Sequence, residues 1–242
     1  MTASPHRRAA FYAAGSGTGG AGDWVTLLHP PYTVWHLSYV AIGAAVVPHP
    51  VAWRLGGTLV AFFLAVGVGA HALDELHGRP VGTGISRRAL IAAATASIGA
   101  AMAAGLAYGG LRMLPFVLAG GLLVTGYNLE LFGGVLHNDL GFALAWGAFP
   151  VLTGAWAQHW TLPPAAFVAA LAAVLLSLGQ RSLSTAARTL RRRAAQVSVT
   201  IVWRDGGQSQ LGRAELLAPL EQALRAFAWA VGALAVALVL AR

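Results

Sequence analysis

His71, Asp74 and Glu75 stand at i, i+3 and i+4, a spacing that puts three metal-ligand side chains on one face of a helix. They lie in Ala70–Pro80, which closes a long apolar run, and ionisable groups at the end of a membrane span mark a candidate functional site. Similar chemistry recurs where other apolar runs begin or end. Tyr32 and His36 lie in the first run, Tyr127, Asn128 and Glu130 end another, His137 and Asp139 precede a third, and Arg181 ends a fourth. Asp74, Glu75, Glu130 and Asp139 are the candidate catalytic groups. The same four with His71 and His137 are candidate metal ligands. Tyr32, His36, Arg79, Tyr127, Asn128 and Arg181 are candidate substrate contacts. Structural roles compete for some of these positions. Glu75 and Arg79 form an i, i+4 pair, and Asn138 occupies the place of an N-cap.

These residues need elements that bring them together. The chain has 242 residues, is 57% hydrophobic and only 10% charged. Apolar segments of bilayer length recur, so the expected class is an all-α polytopic membrane bundle of about seven transmembrane helices. The expected spans are roughly 32–48, 51–74, 89–110, 113–131, 139–158, 164–182 and 216–241. Pro30-Pro31, Pro48-His49-Pro50, Gly133-Gly134 and Pro163-Pro164 supply the breaks. Residues 1–28 read as a flexible cytoplasmic tail, and 29–242 as the membrane domain. Within that domain, 183–213 is a polar cytoplasmic loop in which Val197–Trp203 and Asp205-Gly206-Gly207 suggest a small hairpin. The absence of cysteine excludes disulfides and thiolate metal sites.

All sixteen basic residues are arginine, and the net charge is +8. That charge does not require nucleic acid, because basic loops in a membrane protein set orientation. Arg7, Arg8, Arg79, Arg87, Arg88 and all the arginines from 181 to 213 fall on one side. The expectation is a plasma-membrane protein with its N-terminus in the cytoplasm and its C-terminus outside. The candidate residues then converge in a pocket open to the cytosol.

Three stretches resemble the UbiA superfamily of intramembrane prenyltransferases. His29-Pro30-Pro31-Tyr32 through Gly43 is similar to the family's opening segment, with histidine in place of arginine. Ala70–Gly78 aligns with the first aspartate-rich motif, where Asp74 alone falls on an aspartate position. Tyr127–Ala157, through Leu140-Gly141 and Phe149–Gly154, is similar to the central loop and following helix. The resemblance implies a helical bundle around a cavity, Mg2+, and transfer of a prenyl group from an isoprenyl diphosphate to an aromatic or lipid acceptor. The implied partners are an isoprenoid or lipid substrate and the membrane lipids. After the sixth span, where the family carries its second aspartate motif, the chain reads Gly179-Gln180-Arg181-Ser182-Leu183-Ser184-Thr185, without a carboxylate. Two other functions fit the same residues. One is a membrane metalloenzyme using Fe, Zn or Mn, since histidine with carboxylate suits those metals better than magnesium. The other is a non-catalytic protein binding a lipid or quinone on the same scaffold.

Overall fold

The computed structural model describes residues 10–242; Arg7, Arg8 and the rest of the first nine residues of the expected tail lie outside the described residues. The fold is a mostly helical bundle. In chain order it contains α1 (Ala21–Leu27), α2 (Pro30–Ala45), α3 (Ala52–Leu76), α4 (Arg87–Gly109), α5 (Leu114–Asn128), α6 (Asp139–His159), α7 (Pro164–Arg193), β1 (Ser198–Val202), β2 (Gln208–Gly212) and α8 (Arg213–Leu240). The helices α3, α4, α6, α7 and α8 are long and apolar enough to cross a membrane. α2 and α5 are shorter, at 16 and 15 residues. Large apolar side chains point outward, among them Phe167, Val168, Leu171 and Leu175 of α7 and Trp229, Leu234 and Val236 of α8. Outward apolar faces on long apolar helices identify a membrane protein.

Helix ends follow local chemistry. Pro30 and Pro31 open α2, where a missing N–H costs nothing. The Ser86 hydroxyl caps α4 by accepting from Ala89 N at 3.2 Å. Asn138 Oδ1 caps α6 by accepting from Gly141 N at 2.8 Å, the role its position suggested. Three helices carry π-helical segments, Phe63–Ala70 in α3, Leu144–Ala148 in α6 and Thr189–Arg193 at the end of α7. The segment in α6 precedes Pro150, whose ring nitrogen has no N–H to supply the regular hydrogen bond.

The bundle is built around α2, which packs against α6 on one side and α8 on the other. Trp35 and Tyr39 are buried there with Val151, Ala173 and Val231. Tyr39 shares a helical stripe with Tyr32 and His36, but its hydroxyl donates to the Ala173 carbonyl at 3.2 Å and stays in this core. The α2–α6 contact depends on reciprocal glycines. A Cβ on Gly43 would fall on the Val151 carbonyl, and one on Gly154 would fall on the Val40 carbonyl. Gly43→Ala is therefore expected to destabilise the fold by about 1–3 kcal/mol, the usual range for overpacking, and Gly43→Leu by more. Thermal denaturation in detergent checks this. Gly56→Ala is the control, because nothing lies within 4 Å of its added Cβ.

Two expected loops are more ordered than their composition suggests. Residues 10–28 are folded against the bundle. Asp23 is buried, and its carboxylate accepts from Gly17 N at 3.0 Å, Gly19 N at 2.5 Å and Gly84 N at 3.0 Å. Burial alone would raise the Asp23 pKa, but these backbone donors outweigh it and hold the group below its usual 3.8. The latch therefore stays charged, and weakens only as pH falls through that depressed value. The second is the expected loop at 183–213. Helix α7 runs on to Arg193, well past the expected end of the span at 182. Its 30 residues give a rod of about 45 Å, longer than a hydrocarbon core of about 30 Å. The hairpin is present beyond it. β1 and β2 pair antiparallel, with Thr200 opposite Gln210, across a turn in which Gly206 has φ 86°.

Candidate functional site

A polar cavity of about 260 Å³ opens at one end of the bundle. Helix α2 contributes Tyr32 and His36, and α3 contributes His71 and Asp74. The end of α5 and the following loop contribute Tyr127, Asn128, Glu130 and His137. Helix α7 contributes Arg181, Arg188, Arg191 and Arg192. Nine of the residues singled out in the sequence thus line one cavity: Tyr32, His36, His71, Asp74, Tyr127, Asn128, Glu130, His137 and Arg181. Glu75, Arg79 and Asp139 do not.

Glu75 turns away because the backbone of the α3–α4 loop needs an acceptor. Its carboxylate takes Val81 N at 3.1 Å, Thr83 N at 2.7 Å and the Thr83 hydroxyl at 2.8 Å, and it is 1% exposed. Arg79 closes the same loop by donating to the carbonyls of Thr83 at 2.7 Å and Ile85 at 3.0 Å. The expected i, i+4 pair between them is replaced by these loop contacts. Asp139 is an exposed partner of Arg181, at 2.6 Å. Glu75→Ala leaves two buried N–H groups and a hydroxyl without an acceptor. The expected cost is about 2–5 kcal/mol, seen as a thermal transition lowered by several degrees in detergent.

Asp74 is the carboxylate that faces the cavity from α3. It makes no hydrogen bond or ion pair within the described residues, though it lies in the field of Arg188 and Arg192. Glu130 lies 3.9 Å from His77 Nε2 and 4.0 Å from His137 Nδ1, distances too long for firm hydrogen bonds. On the cationic side, Arg181 donates to the Tyr127 hydroxyl at 2.8 Å besides holding Asp139. Arg191 pairs with Glu221 of α8. Among the described residues Arg188 bonds only within its own helix, to Ser184 O at 3.4 Å and the Thr185 hydroxyl at 3.2 Å.

The histidines are held in defined orientations. The Nδ1 atoms of His36, His71 and His137 lie 3.0, 3.1 and 3.1 Å from the carbonyls of Trp146, Gly67 and Tyr127. A carbonyl only accepts, so each Nδ1 carries its proton. His29, at a left-handed backbone position before α2, meets the Tyr12 hydroxyl at 2.6 Å through Nδ1, and its Nε2 is buried without a partner among the described residues. Tyr12 and Phe11 close part of the cavity. The sequence offered no sign of this, because the segment that carries them is rich in glycine and alanine.

A second cavity, of about 230 Å³, lies between α3, α4, α5 and α6. Its walls are apolar, including Ala61, Phe62, Ile98, Ala101, Phe116 and Phe149. Val66 and Trp146 line both cavities. At its far end, Arg54 lies within 5.5–6.0 Å of the Trp53, Tyr108 and Trp160 rings.

This donor set does not fit a magnesium pair held by two carboxylate motifs. Only Asp74 and Glu130 face the polar cavity as carboxylates, and arginines surround them. Among the described residues no three His, Asp or Glu side chains gather as a metal-binding group. The arrangement does suit an amphiphile: arginines for an anionic head, an apolar chamber for a tail. No family model, curated protein or solved structure matches the chain.

Proposed function

We propose that this protein is an intramembrane prenyl-transfer enzyme of UbiA-like type that binds an isoprenyl diphosphate. The observation that carries the reading is the meeting of the arginine-lined cavity and the apolar cavity on Val66 and Trp146. The diphosphate sits among Arg181, Arg188 and Arg192, and the prenyl chain lies between α3, α4 and α5. The reactive C1 is then near Trp146, where the two environments join. In the reaction the C1–O bond to diphosphate breaks and the acceptor forms a new bond to C1. The departing diphosphate takes its electron pair to the arginines, whose positive charge stabilises it. The apolar walls keep water from the allylic cation, and the Trp146 ring, which lines both cavities, offers it a π surface. No step is assigned to magnesium, because the carboxylates present do not build its site.

Several features support the wider reading. Five helices are long and apolar enough to cross a membrane, Leu114–Asn128 is a shorter apolar helix, and Pro30–Ala45 stands at the first expected span position, which is compatible with seven spans. The arginine bias supports a polar cavity on the cytoplasmic side, in keeping with the expected plasma-membrane protein with its N-terminus inside and its C-terminus outside. The direct test is pyrophosphate release from geranylgeranyl diphosphate by the purified full chain in detergent, together with its binding affinity. Saturable binding displaced by pyrophosphate supports the reading. Absence of binding overturns it.

A further inference from the structure

Arg54 carries a charge that no carboxylate of the chain balances. It lies in the first turn of α3, at the end of the bundle away from the polar cavity, and lines the apolar cavity there with Trp53 and Tyr108. Its Nη1 donates to the Gln158 carbonyl. Among the described residues its guanidinium makes no further hydrogen bond and no ion pair. Arg112, exposed between α4 and α5, shares the place. The guanidinium carbons of Arg54 and Arg112 lie 5.7 and 5.9 Å from the centre of the Trp160 ring. Among the described residues the Arg112 side chain has no hydrogen bond or ion pair; only its carbonyl is used, by Trp156 Nε1 at 3.0 Å.

All eight acidic residues of the chain lie elsewhere. Asp74 and Glu130 face the polar cavity, while Asp23 and Glu75 hold the α3–α4 loop. Asp139 pairs with Arg181 and Glu221 with Arg191. Asp205 turns the hairpin, and Glu215 is in the first turn of α8. Two like charges therefore surround one indole ring, beside an apolar chamber where water screens them poorly. The faces of Trp53, Tyr108 and Trp160 offset part of the repulsion. The planar N–H forks still call for an anion with two oxygens. The chamber beside them, walled by Phe62, Ala101 and Phe116, calls for a hydrocarbon chain. A zwitterionic head would bring its ammonium against two guanidinium groups with no carboxylate to receive it, so the head must carry net negative charge.

We infer that this end of the apolar cavity is a binding site for an anionic membrane phospholipid, its phosphate held by Arg54 and Arg112 and one acyl chain laid between α3, α4 and α5. The site does not depend on the prenyl-transfer reading, because it uses neither the polar cavity nor the arginines of α7. It adds a consequence to that reading. The lipid and a long-chain diphosphate reach the same chamber from opposite ends, so each excludes the other.

The test uses phosphatidylglycerol with a diazirine at the end of one acyl chain, added to the full chain in detergent, and mass spectrometry to locate the label. Labelling is expected at Phe62, Ala101 or Phe116. Unlabelled phosphatidylglycerol should displace it at about tenfold lower concentration than phosphatidylcholine, the effect of one hydrogen bond to an ionised group. Inorganic phosphate should not displace it. Arg112→Gln is expected to lower the labelling about tenfold with an unchanged melting curve, since that side chain holds no described hydrogen bond, and Arg54→Gln to lower it at least as much. Arg242→Gln is the control. Arg242 is an exposed arginine that donates to the Ala45 carbonyl at 2.8 Å, and its loss should leave the labelling intact. Equal displacement by the two lipids would overturn the inference, as would cavity labelling that survives both Arg54→Gln and Arg112→Gln. Labelling confined to outward residues such as Phe167 and Trp229 would overturn it too. Displacement by inorganic phosphate would show a site for free anions and remove the lipid as its ligand.

Discussion

Replacing Arg188 with glutamine is expected to weaken binding of an isoprenyl diphosphate by about 10- to 150-fold, with little change in thermal stability. The first half follows from charge. A hydrogen bond to an ionised group contributes about 1.5–3 kcal/mol, and each 1.4 kcal/mol is tenfold in affinity. The second half follows from geometry. Arg188 lines the cavity but among the described residues bonds only to Ser184 and Thr185 of its own helix, so its removal strands no described carboxylate. Arg181 makes the contrast. It ties Asp139 and the Tyr127 hydroxyl together, so Arg181→Gln is expected to lose stability as well as affinity. Arg188→Lys is expected to restore only part of the binding, because an ammonium lacks the planar fork that holds two phosphate oxygens. Calorimetric titration with geranyl diphosphate, paired with a melting curve for each variant, separates the two effects.

A phenylalanine at Ala101 is expected to change chain-length selectivity. Ala101 is 8% exposed and lines the apolar cavity from α4, facing the space between α3 and α5. A larger side chain there occupies room the tail would use. Burial of each methylene contributes about 0.8 kcal/mol, so displacing two or three of them weakens a long-chain diphosphate roughly 10- to 60-fold. Dimethylallyl diphosphate, whose chain does not reach that far, should bind within about threefold of its usual affinity, a difference of under 1 kcal/mol. Ala61→Phe enters the same cavity from α3 and gives an independent check, should the α4 variant disturb packing. Competition binding across dimethylallyl, geranyl and geranylgeranyl diphosphates measures the selectivity.

Much of the scaffold was legible in the sequence, because its causes are local. Pro30-Pro31 and Asn138 act where their chemistry predicts, and Asp205-Gly206 turns the hairpin as its composition suggests. The gathering of Asp74, Glu130, His36 and Arg181 was legible too. Polar groups at the same depth of adjacent spans have few other places to go.

What was not legible depends on partners far along the chain. His71, Asp74 and Glu75 share a broad helical face, yet Asp74 meets the cavity and Glu75 meets the backbone of Val81 and Thr83. Which carboxylate goes where depends on the rotation of α3. The π-helical segment Phe63–Ala70 shifts that rotation relative to a regular helix. The N-terminal segment read as a tail because glycine and alanine offer little side chain to pack. Its order comes from backbone N–H groups on the Asp23 carboxylate, which hydrophobic pattern does not register. The apolar cavity was hidden for a related reason. Gly105, Gly120, Gly121 and Ala101 leave the space open, and small residues are also what a GC-rich coding bias produces.

The central claim is that one amphiphile spans both cavities, its head among the arginines of α7 and its tail between α3, α4 and α5. A geranylgeranyl diphosphate analogue carrying a diazirine at the tail end tests this directly, with the labelled residues located by mass spectrometry. The account predicts labelling of α4 and α5 around Ala101 and Phe116, abolished by excess pyrophosphate and by Arg188→Gln. Labelling confined to the outward face of α7 at Val168, Leu171 and Leu175, or labelling indifferent to pyrophosphate, would contradict it.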